Sequence, residues 1–214
     1  MHRAVITGGS GSLGRAIEAA LESPAWKILA PSSSDLDVRD ERAIRSFFQQ
    51  NPVDLLVSAA GITRDSPLAR ATEESWDQVF AVNFKGAAAC AREVLPGMIG
   101  KKSGHIVFIS SFSALHPPIG QVAYATAKAA LLGLTEDLAR INGPHNIRVN
   151  AILPGFLETR MTENVSEKRR KSVRGNHVLD RFNTPEHVAK FIRHLHHDLP
   201  HTSGQVFQLD SRIR

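Results

Sequence analysis

The sequence predicts an α/β fold, a doubly wound parallel sheet within one domain covering residues 1–214. Three observations carry that prediction. Short apolar runs alternate with helical patterns along the whole chain. The runs are nearly continuous rather than alternating with polar residues, as in strands covered by helices on both faces. A glycine-rich turn joins the first run to the first helical pattern.

Ala4–Thr7 is a short β-type run, followed by the glycine turn and a helix from about Leu13 to Leu21. Trp26–Ala30, Val53–Ser58, His105–Ser110, Ile147–Leu153 and Gln205–Leu209 read as further strands. Helical patterns fill Glu73–Ile99 and Ala123–Ile141. Thr184-Pro185-Glu186 opens a late helix, with Thr as N-cap and Pro in the first turn. One connection is abnormal. Only Pro31, Ser32, Ser33, Ser34 and Asp35 separate Ala30 from Leu36, whereas a parallel crossover normally takes about a dozen residues or more. Either a strand at Leu36–Val38 is a stub or its connection skips the usual helix, which shortens the second-to-third strand connection.

With 42% hydrophobic residues the chain has enough apolar surface for one real core. Cys90 is the single cysteine, which suits a reducing compartment. The first residues run straight into a strand, and no stretch reaches the roughly eighteen apolar residues of a membrane span. The expectation is a cytoplasmic protein with no membrane partner. The net charge of +5 is scattered, apart from Lys168-Arg169-Arg170-Lys171 and Arg174, and no zinc-finger spacing accompanies it, which argues against nucleic acid. His194, His196, His197 and His201 lack a completing ligand set and read as a solvated helix end; no metal site is expected. Cys90, among alanines, reads as a buried small side chain.

Thr7-Gly8-Gly9-Ser10-Gly11-Ser12-Leu13-Gly14 follows a strand and opens a helix. Glycines let a backbone turn tightly and approach a pyrophosphate, which the helix N-terminus then holds, so the segment predicts a Rossmann-type dinucleotide site. Tyr124 and Lys128 stand four apart, on one helix face. A phenol has a reference pKa near 10, and a neighbouring cation is what makes it useful in acid–base chemistry near neutrality.

Taken together these motifs resemble the short-chain dehydrogenase/reductase family over nearly the whole chain. Asn83 in Val82-Asn83-Phe84-Lys85-Gly86 is similar to the family's Asn-x-x-Gly. Ser111 lies thirteen residues before Tyr124, with Ser110 the neighbouring candidate, and Pro154-Gly155 with Leu157 and Thr159 resembles the nicotinamide-binding segment. Ala60-Gly61-Ile62-Thr63-Arg64-Asp65, Pro154–Thr159 and Arg181–Glu186 further resemble the 3-oxoacyl-[acyl-carrier-protein] reductases. There are departures. Ser12 replaces a glycine, Ser58-Ala59-Ala60-Gly61 replaces Asn-Asn-Ala-Gly, the helix after the second strand is missing, and Asp210-Ser211 stands for the C-terminal Gly-Gly.

The resemblance implies hydride transfer between a nicotinamide cofactor and a carbonyl or alcohol. Its catalytic residues would be Asn83, Ser111, Tyr124 and Lys128. Tyr124 would be general acid, Ser111 the carbonyl-oxygen donor, Lys128 the group that depresses the Tyr124 pKa and binds ribose, and Asn83 the holder of a relay water. The cofactor would contact Gly8, Ser10, Gly11, Ser12, Leu13, Gly14, Ser32, Ser33, Asp37, Val38, Ala59, Ala60, Gly61, Tyr124, Lys128, Pro154, Gly155, Leu157 and Thr159. NADP(H) is favoured over NAD(H), because serines rather than an acid follow the second strand and Arg15 is near. The implied substrate is a 3-oxoacyl thioester, with an acyl carrier protein as partner; the alternatives are a ketone or alcohol dehydrogenase and a silent dinucleotide sensor. Residues 156–180 would form a substrate lid whose basic cluster, together with Lys102, docks the acidic carrier. A homotetramer or homodimer is expected through Glu73–Ile99 and Ala123–Ile141.

Overall fold

A computed structural model describes residues 1–213. Six parallel strands form one sheet: β1 (His2–Thr7), β2 (Trp26–Leu29), β3 (Leu55–Ser58), β4 (Gly104–Ile109), β5 (Ile147–Leu153) and β6 (Val206–Gln208). Their order is β2-β1-β3-β4-β5-β6, so the winding reverses between β1 and β3. The register aligns Thr7 with Ser58, Ser58 with Phe108 and Phe108 with Ala151. The carboxyl ends of four strands therefore open side by side on one edge, where sheets of this type bind their ligands.

On one face lie α1 (Ser12–Leu21) and α7 (Pro185–His197), which put Ile17, Leu21, Val188 and Ile192 against Ala4, Ile6 and Val57. On the other lie α2 (Glu41–Gln50), α4 (Ala87–Lys101) and α5 (Val122–Asn142), contributing Ile44, Phe48, Val94, Met98 and Leu131 against Val5, Leu56 and Ile106. The remaining helices are α3 (Glu73–Phe80), which a π-helical turn at Ala81–Gly86 joins to α4, and α6 (Glu167–Gly175). Thr184 caps α7 as expected, its hydroxyl accepting from His187 N–H.

The connection after β2 carries no helix between Ala30 and Leu36, in keeping with the sequence. Leu36–Val38, however, is not a strand, so the connection from β2 to β3 runs on through α2 and is not the shortened, helix-free one expected. Leu36 and Val38 are buried in the core beneath α2 and α4, and β2 is the sheet edge among the described residues. The sequence reading also missed α2. Asp40 caps it by accepting from the Arg42 and Ala43 N–H groups, and Ile44, Phe47 and Phe48 form its apolar stripe. The continuous helix expected at Glu73–Ile99 is interrupted by the π turn.

One surface reading changes. His196 is not on a solvated helix end. Its Nδ1 lies 3.2 Å from His105 Nδ1, and it packs on Trp26. Burial and nearby Arg148 push its pKa down to about 4. Ala87, Ala89 and Ala125, on the helices expected to carry assembly, are buried within the chain itself. Cys90 is buried as expected, and desolvation pushes its thiol up to about 12.

Candidate active site

The glycine loop sits at the carboxyl end of β1, and close contacts explain its composition. Gly8 has φ +71°, and an added Cβ would lie 2.9 Å from the Ala60 backbone. At Gly9 a Cβ would meet the Ala30 carbonyl oxygen at 2.1 Å, and at Gly14 the Gly8 oxygen at 2.6 Å. Thr7 Oγ1 accepts from the N–H groups of both Ala59 and Ala60, which ties the loops after β1 and β3 together. Gly11 is the N-cap of α1 and offers no side-chain cap. The first-turn N–H groups of Ser12, Leu13 and Gly14 thus face outward with the positive end of the helix dipole, as an anion requires. The cradle fits a dinucleotide pyrophosphate.

Beyond β2, Ser32 is already engaged. Its N–H and hydroxyl both donate to the Asp35 carboxylate, at 2.9 and 2.6 Å, and these bonds hold the Asp35 pKa low. Ser33 is exposed beside them. Arg15 donates to the Ser10 carbonyl oxygen at 2.7 Å. The Asp37 carboxylate accepts a forked pair from Arg39, which lowers its pKa, while Val38 is buried against Gly86. At the carboxyl end of β5, Gly155 has φ +89°, and an added Cβ would lie 2.7 Å from Asp210 Cβ, so both conformation and space call for glycine. Pro154 and Leu157 are buried, and Thr159 caps a 3₁₀ turn at Arg160–Thr162.

The four expected catalytic residues converge. Asn83 lies in the π turn, 1% exposed; its Oδ1 accepts from Ile62 N–H at 3.0 Å and its Nδ2 donates to Ile62 C=O at 2.8 Å. A Cβ on Gly61 would sit 2.8 Å from Asn83 Oδ1 and 3.6 Å from Lys128 Nζ, so both groups close around that glycine. Lys128 is 4% exposed. Its Nζ donates to Ile109 C=O at 2.7 Å, and desolvation lowers its pKa to about 8. The remaining two ammonium hydrogens are available to a ligand.

Tyr124 is half-buried, with its ring centroid 5.8 Å from Lys128 Nζ. Burial raises the phenol's pKa, and a hydrogen bond with Ser111 offsets part of that rise. Lys128 is not among the influences on that pKa. Ser110 and Ser111 divide cleanly. Ser110 is buried and donates to the Lys128 carbonyl oxygen, whereas Ser111 is half-buried and faces Tyr124.

The basic residues do not act as one group. Arg170 donates to the carbonyl oxygens of Val165 and Thr162 and pairs with Glu158, and Arg174 pairs with Asp180. Lys168, Arg169 and Lys171 are exposed. Lys102 precedes β4, while Ser111 follows it. Six residues at about 3.3 Å each put Lys102 at the opposite edge of the sheet from the site. It cannot line the cleft.

A model of the short chain dehydrogenase family matches residues 32–170. The chain is 43% identical over 184 residues to a 3-oxoacyl-[acyl-carrier-protein] reductase of Thermotoga maritima, covering 83% of this chain and 75% of that protein. It is 33% identical over 227 residues to a (3R)-3-hydroxyacyl-CoA dehydrogenase of Rattus norvegicus, covering 90% of this chain and 88% of that one. A solved structure from Beutenbergia cavernae, described as a candidate NAD(P)-dependent gluconate 5-dehydrogenase with NADP bound, superposes with a TM-score of 0.93 at 26% identity, over 98% of this chain and 95% of that one. The chain belongs to the short-chain dehydrogenase/reductase family of oxidoreductases.

Proposed function

We propose that this chain is a cytoplasmic, NADP(H)-dependent reductase of 3-oxoacyl thioesters presented on an acyl carrier protein or coenzyme A. The carrying observation is the convergence of Asn83, Ser111, Tyr124 and Lys128 beside an uncapped glycine loop. The substrate class follows the relatives from Thermotoga maritima and Rattus norvegicus.

The cofactor, when bound, supplies the hydride. Ser111 donates a hydrogen bond to the carbonyl oxygen as negative charge develops there. Tyr124 delivers the proton to that oxygen, and its raised pKa keeps the phenol protonated at neutral pH until an alkoxide forms. Lys128 holds the ribose hydroxyls with its two remaining hydrogens. Asn83 uses one amide hydrogen and one oxygen lone pair on Ile62, so one of each remains for a relay water. Residues 156–180 act as the substrate lid.

NADP(H) is supported by the serines after β2, by Arg15, and by the NADP in the Beutenbergia cavernae structure. Asp35 limits that preference, since its carboxylate holds Ser32 and repels a 2′-phosphate. Asp35→Ala therefore lowers KM for NADPH relative to NADH; an unchanged ratio removes Asp35 from cofactor choice. The structural likeness to a candidate gluconate dehydrogenase supports a second reading, a ketone or alcohol oxidoreductase.

The central test follows cofactor oxidation with an acetoacetyl thioester, comparing NADPH with NADH. Tyr124→Phe should keep cofactor binding while turnover falls by about two orders of magnitude or more. A variant that retains a tenth of the activity overturns the assignment.

A further inference from the structure

Past β6 the chain turns back along the site. Val178 N–H donates to Ser211 C=O at 3.1 Å, Leu179 N–H donates to Ser211 Oγ at 3.3 Å, and His177 and Arg212 form an antiparallel bridge. This stitches the tail to the residues that follow α6. The Asp210 carboxylate is 1% exposed; it accepts from Gln208 Nε2 at 2.8 Å and from the Arg212 guanidinium. His177 Nε2, buried and without a hydrogen-bond partner, lies 3.6 Å from the same carboxylate.

The Arg212 guanidinium lies 3.6 Å from the centroid of the Phe112 ring, and Phe112 follows Ser111 directly. The Arg212 side chain is 12% exposed. A guanidinium so far removed from water persists where it is paired and stacked, and here Asp210 and Phe112 supply both. The ion pair thus touches three working segments. Asp210 packs on Gly155 on the cofactor side, Arg212 covers the residue after Ser111, and both meet His177 at the end of the lid.

We infer that Arg212 is a positioning residue, which with Asp210 latches the lid's far end to the loop that carries Ser111. The inference rests on reading 156–180 as a lid. It follows that lid movement is confined to the stretch before His177, while His177–Leu179 stay fixed. Burial, Ser111 and Asp65 set the acidity of Tyr124, and Arg212 is not among those influences. The latch acts through geometry and leaves the proton chemistry alone.

The test uses the full chain carrying Arg212→Ala, Arg212→Lys or Phe112→Leu, with acetoacetyl-CoA as substrate. Arg212→Ala should raise KM for acetoacetyl-CoA about tenfold, keep the cofactor Kd within about twofold, and leave the pH profile of turnover in place. Arg212→Lys, which keeps the ion pair but loses the planar stack, should recover part of the loss. Phe112→Leu, which leaves the ion pair intact, should reproduce part of it. Limited proteolysis within 160–180 should quicken in Arg212→Ala. Parallel weakening of cofactor and substrate, a shifted pH profile, or unchanged proteolysis would overturn the latch. If Arg212→Ala does not fold, the Arg212→Lys and Phe112→Leu variants decide by the same readouts. Wild-type protein inert toward acetoacetyl-CoA would instead sink the thioester reading, and the proteolysis arm would still report on the latch.

Discussion

Replacing Asn83 tests whether the π turn is held by a side chain clamped to a loop. The Asn83 amide satisfies both backbone groups of Ile62, at 3.0 and 2.8 Å, in a position 1% exposed. Asn83→Ala leaves the part-buried N–H and C=O of Ile62 without their partner; a fully buried group costs about 1–3 kcal/mol, so about 2–6 kcal/mol is the upper bound and the expected loss is about 1–3 kcal/mol. In a domain of this size each kcal/mol lowers Tm by about 2–4 °C, which makes the change easy to read by calorimetry. Asn83→Asp keeps the acceptor for Ile62 N–H but sets an ionised oxygen against Ile62 C=O. Burial and that carbonyl raise the folded-state pKa of the new carboxyl above its unfolded value near 3.9. The folded state then holds the proton more tightly than the unfolded one, so the variant is relatively more stable at low pH and loses that stability as pH rises through the raised pKa. Urea denaturation should show its deficit against wild type shrinking as pH falls from about 8 to about 5. Asn83→Ala within about 0.5 kcal/mol of wild type, or an Asn83→Asp deficit flat with pH, refutes the clamp.

Three further outcomes follow. Lys128, with its pKa lowered to about 8, loses its positive charge as pH rises through that value, so cofactor KM should climb above pH 8; a flat profile there would count against its ribose role. Replacing Lys168, Arg169 and Lys171 with Ala, while leaving Arg170 to hold the lid, should lower activity on a carrier-protein thioester severalfold and abolish its salt dependence, with little effect on a small free ketone; equal loss on both substrates removes the carrier dock. Light scattering at micromolar concentration should show a tetramer or dimer, and a monomer would refute assembly through α4 and α5.

The strands and the glycine loop were legible because their signals are local: continuous apolar runs, and glycines at a strand-to-helix turn. Tyr124 and Lys128 were legible from their four-residue spacing on one helix face, whereas Asn83 and Ser111 were reached only through the resemblance to the family. Other features were hidden for physical reasons. The π turn depends on Asn83 reaching Ile62, twenty-one positions away, and no periodicity announces it. The His105–His196 contact spans ninety-one positions. Lys102 looked close to Ser111 because sequence distance takes no account of strand length. The α2 helix was readable in principle: Asp40 is a standard N-cap residue, and Ile44, Phe47 and Phe48 carry the helical period. The short run before it drew attention to Leu36–Val38 and away from the helix.

Ending the sheet at β2 leaves that strand with one row of backbone amides and carbonyls that no described strand covers. Such a row is a template on which another chain can add a strand, and natural proteins blunt it with brevity, lysine and proline. All three are present. β2 has only four residues, Lys27 projects from it, and Pro31 follows two positions after its end. Ending the sheet at this strand thus carries a risk of self-association, and the strand's own sequence keeps that risk low.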